Sequence, residues 1–251
     1  GEIVTLTVSD PLGRPVKAPC AVNRIKRSAI LEMAAASGLE LLKNYERNPL
    51  LASTYGTGEM IRLLVNQDIR HFTVGIGGSA TVDGGLGMLQ ALGWRFVNKQ
   101  GTEIPARSGA KVIQSIAAID ESAVDPLLAE CTFQIACDVD NILTGPAGAA
   151  MMFGAQKGAD KAMQLDLENQ LIHWAKLWKD DGKTAGDGAA GGLGFAFRRV
   201  LKGVIRPGAE TVLDAINFDQ KIAGADLIVT GEGCSDEQTL HGKLCQAVNQ
   251  R

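Results

Sequence analysis

The feature that most restricts the fold is a short apolar strand running straight into a glycine-rich loop. Residues 71–76 form the strand, and the loop reads Gly75-Ile76-Gly77-Gly78-Ser79-Ala80-Thr81-Val82-Asp83-Gly84-Gly85. A helix is predicted to follow over residues 85–92. The same order recurs twice. A strand at 132–136 ends in Cys137-Asp138-Val139-Asp140-Asn141, and a strand at 226–230 leads into Gly231-Glu232-Gly233. Strands that alternate with helices predict α/β layers. Sheets of that kind bind ligands outside the carboxyl ends of their strands, so these loops are where chemistry is expected.

The remaining elements follow from periodicity. Residues 3–8 alternate like a strand, Asp10-Pro11-Leu12-Gly13 reads as a turn, and a second strand is predicted at 28–33. A helix is predicted over 57–65 with Thr57 as its N-cap, and a strand over 94–97. The longest helix is predicted over 159–181. Its residues Met163, Leu167, Leu171, Trp174 and Trp178 keep helical spacing and are read as core rather than as a cofactor platform. A glycine-rich helix start is read at 189–201. With 251 residues, 45% of them apolar, the chain can bury a substantial core in one or two domains. Only 5% is aromatic, so that core rests on Ala, Val, Ile and Leu.

The net charge of −3, without a basic run, argues against nucleic acid or an anionic membrane as partner. Neither a signal peptide nor an apolar run long enough to span a bilayer is found. Cys20, Cys131, Cys137, Cys234 and Cys245 fit neither a CxxC pair nor a zinc site. They are read as free thiols in a reducing compartment, the cytoplasm. The starts and stops at Gly1 and Arg251 read as cuts in a longer protein.

Five loops carry candidate chemistry. In the first, Gly77 and Gly78 present bare backbone N–H groups, Ser79 and Thr81 present hydroxyls, and Asp83 a carboxylate. Unpartnered N–H groups before a helix attract phosphate or carboxylate. The alternative is a tight turn that needs glycine for positive φ. This is not a Walker A loop, because no Gly-Lys-Ser/Thr follows. In the second, Asp138, Asp140 and Asn141 offer oxygen ligands of the kind Mg²⁺ prefers, and either acid could accept a proton from a substrate hydroxyl. The alternative is an Asx-rich turn. In the third, Lys157 lies between the glycines Gly154 and Gly158 ahead of the long helix, where it can reach an anion as a point charge. By itself such a lysine is more often simply solvated. The fourth, residues 185–194, holds five glycines in ten residues, for close approach to a ligand or a neighbouring helix. The fifth, residues 230–243, combines Glu232, Asp236, Thr239, His241 and Lys243, a mixture that suits phosphate and metal handling. A structural hydrogen bond is the commoner use of a histidine such as His241. Acids, hydroxyls, lysines and open backbone are what phosphoryl transfer needs, since it depends on positioning and charge neutralisation.

Several strings resemble the bacterial glycerate kinase family of the type that includes the glycerate 2-kinases. They are residues 32–39, Arg47-Asn48-Pro49-Leu50, Tyr55-Gly56-Thr57-Gly58-Glu59, residues 75–87, 136–141, 153–159, 188–194 and 230–243. They fall in the family's order over nearly the whole chain. The resemblance implies ATP-dependent phosphorylation of D-glycerate to phosphoglycerate, with the 2-phosphate favoured and Mg²⁺ accompanying ATP. It implies a two-domain α/β fold with the active site in the cleft between the domains. In that reading, residues 1–225 form the inserted α/β domain, and residues 226–251 begin the return into a Rossmann-like domain otherwise missing here. Asp138, Asp236 and Lys157 are then the catalytic candidates, with Asp138 and Asp236 the candidates for Mg²⁺. Gly77, Gly78, Ser79, Thr81, Asp83, Asn141, Glu232, Thr239, His241 and Lys243 are candidates for holding substrate or phosphate. A kinase for a related hydroxy acid and a non-catalytic anion- or nucleotide-binding relative are the rival readings, and a homodimer is left open. The chain departs from the family pattern at Cys234, which stands where an arginine is usual, at Ala155 in place of a proline, and at Asp187 in place of an alanine. After Lys243, Leu244-Cys245-Gln246 replaces the usual Ala/Val-Pro-Ile.

Overall fold

A computed structural model describes residues 1–231 and 244–251. Its centre is a six-stranded mixed sheet in the order β1-β2-β3-β4-β7-β8. The chain enters as an antiparallel hairpin, β1 (Glu2–Ser9) and β2 (Pro15–Asn23), turned at Asp10, whose carbonyl accepts from Gly13 N–H at 3.0 Å. β3 (Ser28–Glu32) runs antiparallel to β2. From β3 onward the pairing is parallel, through β4 (His71–Gly75), β7 (Thr132–Ala136) and β8 (Val204–Arg206). The remaining strands, β5 (Arg95–Asn98) and β6 (Ile116–Asp120), form a separate ribbon. This is an α/β fold, as the alternation of strands and helices predicts.

The strands differ from the sequence reading at four places: β2, β6 and β8 are absent from that reading, and one strand it expects does not form. β2 is absent from the sequence reading because Pro15 and Pro19 lack the N–H a sheet interior needs. The register removes the conflict: β3 pairs only with Cys20 to Asn23, so residues 15–19 have β1 on one side and nothing on the other. The strand expected at 226–230 does not form. Its backbone has no ladder partner among the described residues, and Leu227 and Val229 are 79% and 85% exposed.

One sheet face is packed. Leu31, Phe72, Val74, Phe133 and Ile135 point inward beneath the helices, while Thr5, Thr7 and Ile30 on the other face meet solvent. Helix α1 (Ala34–Ser37) follows β3. Helix α2 (Tyr55–Val65) begins at Thr54 rather than Thr57, whose hydroxyl is instead buried 2.8 Å from that of Ser37. Helix α3 (Leu86–Ala91) packs along α2, and α4 (Ala149–Phe153) precedes the long α5 (Lys161–Leu177). Asp160 caps α5, its carboxylate accepting from Met163 N–H at 2.8 Å. The apolar stripe of α5 is core, as expected: Leu167, Leu171, Trp174 and Trp178 are buried, and Trp174 stacks at a tilt on Phe96 at 5.3 Å. Helix α6 (Ala189–Arg199) adds Phe197 against Phe133, and α7 (Gly208–Ala215) follows β8. Among the described residues, no helix is long and apolar enough to cross a membrane.

Candidate functional site

The carboxyl ends of β4 and β7 open into a cleft of about 420 Å³, within the usual range of small-molecule sites. Four loops that are distant in sequence meet there. Gly77, Gly78 and Ser79 come from the loop after β4, and Cys137, Asp138 and Val139 from the loop after β7. Phe153, Gln156 and Lys157 come from the segment ahead of α5, and Ala189 and Ala190 from the start of α6. Parallel pairing of β4 with β7, Gly75 opposite Ala136, puts the first two side by side.

The floor is backbone. The N–H groups of Gly77, Gly78 and Ser79 have no acceptor among the described residues. The Gly78 carbonyl is held, accepting from Leu39 N–H at 2.8 Å, and Ala80 N–H donates to the Ser37 carbonyl at 2.9 Å. The chain is thus pinned on both sides of the free donors, and Gly77 and Gly78 are exposed. Gly78 has φ +71, a conformation that costs glycine little. Fixed, unpaired N–H groups in such a concavity are suited to an oxyanion.

Lys157 forms one wall, and here the structure overturns the solvated reading. The residue is only 2% exposed. Its Nζ donates to Ser79 Oγ at 2.6 Å and to the Thr81 carbonyl at 2.8 Å. An ammonium has three N–H donors, so one is left for a ligand. Burial lowers the lysine pKa to about 7, opposed by the nearby negative charge of Asp83. An anion in the cleft would restore the charge.

Asp138 lies on the facing wall and is exposed. Its Oδ1 accepts from Gly208 N–H, the first residue of α7, at 2.7 Å. One carboxylate oxygen is therefore committed to anchoring the loop, and the other accepts no hydrogen bond among the described residues. Asn141 holds the same loop, donating from Nδ2 to the Ala147 carbonyl at 2.9 Å, while its own carbonyl accepts from Gly188 N–H at 2.8 Å. That last bond ties the second loop to the fourth.

Thr81 and Asp83 lie behind the cleft, fully buried. The Asp83 carboxylate accepts from Thr54 N–H and hydroxyl, both at 2.9 Å, and from Gly85 and Gly87 N–H, both at 3.2 Å. Burial raises its pKa against these four donors. Asp83 thus knots α2 to α3 and reaches the site through the field it exerts on Lys157. Thr81 Oγ1 has no partner among the described residues. Glu232, Asp236, Thr239, His241 and Lys243, with Cys234, lie outside the described residues. Among the described residues no three of His, Cys, Asp or Glu gather as a metal set. Mg²⁺ commonly takes only one or two protein carboxylates beside phosphates and water, so Asp138 fits a magnesium that arrives with a nucleotide.

Leu39, Ile76, Phe153 and Gln156 also line the cleft. All four lie in the strings 32–39, 75–87 and 153–159 but are not among the candidate site residues, because neither apolar side chains nor a lone amide announce chemistry by type. Asp187 is buried and paired with Arg198 at 2.6 and 2.9 Å. Arg198 also meets Asp180, so the buried carboxylate has a counter-ion within the chain.

Over residues 1–251 the sequence matches the description "Glycerate kinase family". It is similar to the glycerate kinase of Bacillus cereus, 47% identical over 256 residues, with 100% of this chain and 67% of that protein covered. It is also similar to the glycerate 2-kinase of Escherichia coli, 42% identical over 242 residues, with 94% and 63% covered. A crystal structure presented as a candidate glycerate kinase 2 from Salmonella typhimurium superposes with a TM-score of 0.90 at 42% identity, covering 100% of this chain and 69% of that one. The chain spans about two thirds of the length of these curated relatives.

Proposed function

We propose a function from one premise: the chain belongs to the glycerate kinase family. The protein phosphorylates D-glycerate with ATP, giving ADP and phosphoglycerate, with the 2-phosphate as the favoured product. The observation that carries this reading is the convergence of four loops on one cleft with three free N–H groups, a buried lysine and a carboxylate.

The substrate hydroxyl oxygen attacks the terminal phosphorus in line. The bond from that phosphorus to the bridging oxygen breaks, and its electron pair leaves with ADP. Asp138, through the oxygen not bound to Gly208, orients the hydroxyl and takes its proton. Gly77, Gly78 and Ser79 hold an anionic group through their N–H donors. The third donor of Lys157, whose side chain is itself buried, neutralises charge beside them. A Mg²⁺ entering with ATP would be held in part by the Asp138 carboxylate and would supply charge neutralisation at the phosphates. Glu232 and Asp236 are proposed for nucleotide or metal contacts, and Thr239, His241 and Lys243 for phosphate. Residues 1–225 are proposed as the inserted domain, with the return toward the nucleotide-binding domain from 226.

The test is D-glycerate-dependent ADP release by the full-length protein with Mg²⁺-ATP, with L-glycerate and related hydroxy acids alongside. Release with D-glycerate alone supports the reading, and phosphorus NMR of the product fixes the position. A folded protein that binds ATP but releases no ADP with D-glycerate contradicts it.

A further inference from the structure

Arg47 follows the short turn Asn44–Glu46 and carries a guanidinium with no hydrogen-bond or ion-pair partner among the described residues. Its Nε is buried without a hydrogen-bond partner, and no acceptor for the rest of the group exists among the described residues. The neighbouring carboxylate is already taken. Glu46 Oε1 accepts from Arg14 at 2.6 Å and Oε2 from Lys43 N–H at 2.9 Å. An arginine cannot shed its proton to escape burial. Arg47 as a whole is half-buried, but a buried N–H left unpaired is costly, and an acceptor oxygen supplied by a ligand would satisfy Nε.

The place of Arg47 says which site that ligand occupies. Gly158, next to Lys157, has φ +98, and a Cβ there would run into the Arg47 carbonyl. The left-handed glycine thus brings the Arg47 backbone against the cleft wall that carries Lys157. On the other side, Leu42, Ala52 and Ala80 form a small apolar cluster with Leu39. That cluster fastens residues 39–52 to the loop holding the free N–H groups. Arg47 thus sits on a segment fastened to two walls of the cleft, beside the residues that line it.

We propose that Arg47 recognises the carboxylate of the acid substrate. This rests on the kinase reading for the identity of the acid. The division of labour is chemical. Backbone N–H groups and an ammonium make an adaptable cradle for phosphate oxygens, whereas the planar guanidinium fork matches a planar carboxylate through two parallel hydrogen bonds. Arg47 therefore selects acids over the corresponding neutral polyols.

The experiment uses full-length wild-type protein, Arg47→Ala and Arg47→Lys, with folding checked by thermal melting. Initial rates are measured while D-glycerate and Mg²⁺-ATP are varied separately. Calorimetric titrations compare D-glycerate with glycerol, which has the same carbon skeleton but no carboxylate. Arg47→Ala is expected to raise KM for D-glycerate by about 10- to 100-fold, the worth of a charge-assisted pair, and to leave KM for ATP within about twofold. Arg47→Lys should recover only part of the loss, because the point charge lacks the fork. Should the alanine variant fail to fold, the lysine variant decides alone: a raised KM for D-glycerate supports the proposal and an unchanged one overturns it. A rise in KM for ATP instead would assign Arg47 to phosphate and overturn it, as would unchanged values for both. If wild-type protein shows no turnover with D-glycerate, the kinase reading fails and the titrations decide: carboxylate-dependent binding lost in Arg47→Ala supports the proposal, and binding that is equal in the variant or absent from both overturns it.

Discussion

The two halves of the loop from 75 to 87 look alike in sequence and do opposite things. In the first half a side chain at Gly77 would meet nothing within 4 Å, and the neighbouring N–H groups have no acceptor among the described residues. In the second half every glycine is spent on packing. A Cβ at Gly84 would strike the Trp174 ring and one at Gly85 the Cβ of Ala196, both at positive φ. Trp174 Nε1 donates to the Gly84 carbonyl at 2.9 Å, and Gly84 N–H donates to the Gly191 carbonyl at 3.0 Å. Glycine thus leaves the backbone open in one half and admits a neighbouring helix in the other, and the packed second half fixes the position of the first.

The contrast can be broken most forcefully from the packing side. Gly191 has φ +68, and its added Cβ would collide with the Thr81 carbonyl. Gly191→Ala should cost about 4 kcal/mol or leave the protein unfolded, because both overpacking and backbone strain apply. Denaturant unfolding checks this, and a loss under about 1 kcal/mol would mean that the second half is not the scaffold described.

A smaller effect sharpens the link between the halves through Lys157. Its pKa is about 7 in the folded protein against 10.5 for the free side chain. Between those values the unfolded chain holds a proton that the folded chain has released, so stability rises with pH across that window and is flat in this term below it. From pH 7 to 8.5 the gain is up to about 2 kcal/mol in ligand-free protein. Lys157→Met should abolish the rise in urea unfolding, and an equally steep rise in the variant would contradict the assignment. The same deprotonation predicts weaker anion binding as pH increases through 7.

The smallest stability effect belongs to the open half. Gly77→Ala should change stability by less than about 1 kcal/mol, since its side chain enters free space. Phosphate or D-glycerate titration should nevertheless show weakened binding, as the methyl group intrudes beside the donors. Unchanged affinity would place the anion elsewhere.

Much of this site is legible in the sequence because strand, loop and helix are local patterns. The loops after β4 and β7, Lys157 and the glycines of 185–194 are all marked, and the parallel register then joins them. What sequence leaves open is the fate of each polar group. Asp83 has the same local appearance as Asp138, yet four donors from α2 and α3 consume it, and only tertiary contacts say so. Lys157 reads as a solvated residue because its burial depends on the Thr81 carbonyl and Ser79, 76 and 78 positions away. Arg47 stands in a marked string, but the absence of an acceptor can be seen only in three dimensions. Residues 226–230 have the composition of a strand, and composition cannot supply the partner a strand requires.

The central claim is that the open half of the loop and the wall bearing Asp138 form the chemical site, and Asp138→Ala tests it most directly. Loss of the bond to Gly208 should lower stability by about 1 kcal/mol, whereas D-glycerate-dependent ADP release should fall by about 10²- to 10⁴-fold, the usual worth of a positioned acid or base. Near-normal turnover in a folded Asp138→Ala protein would contradict the account and remove this residue from the chemistry.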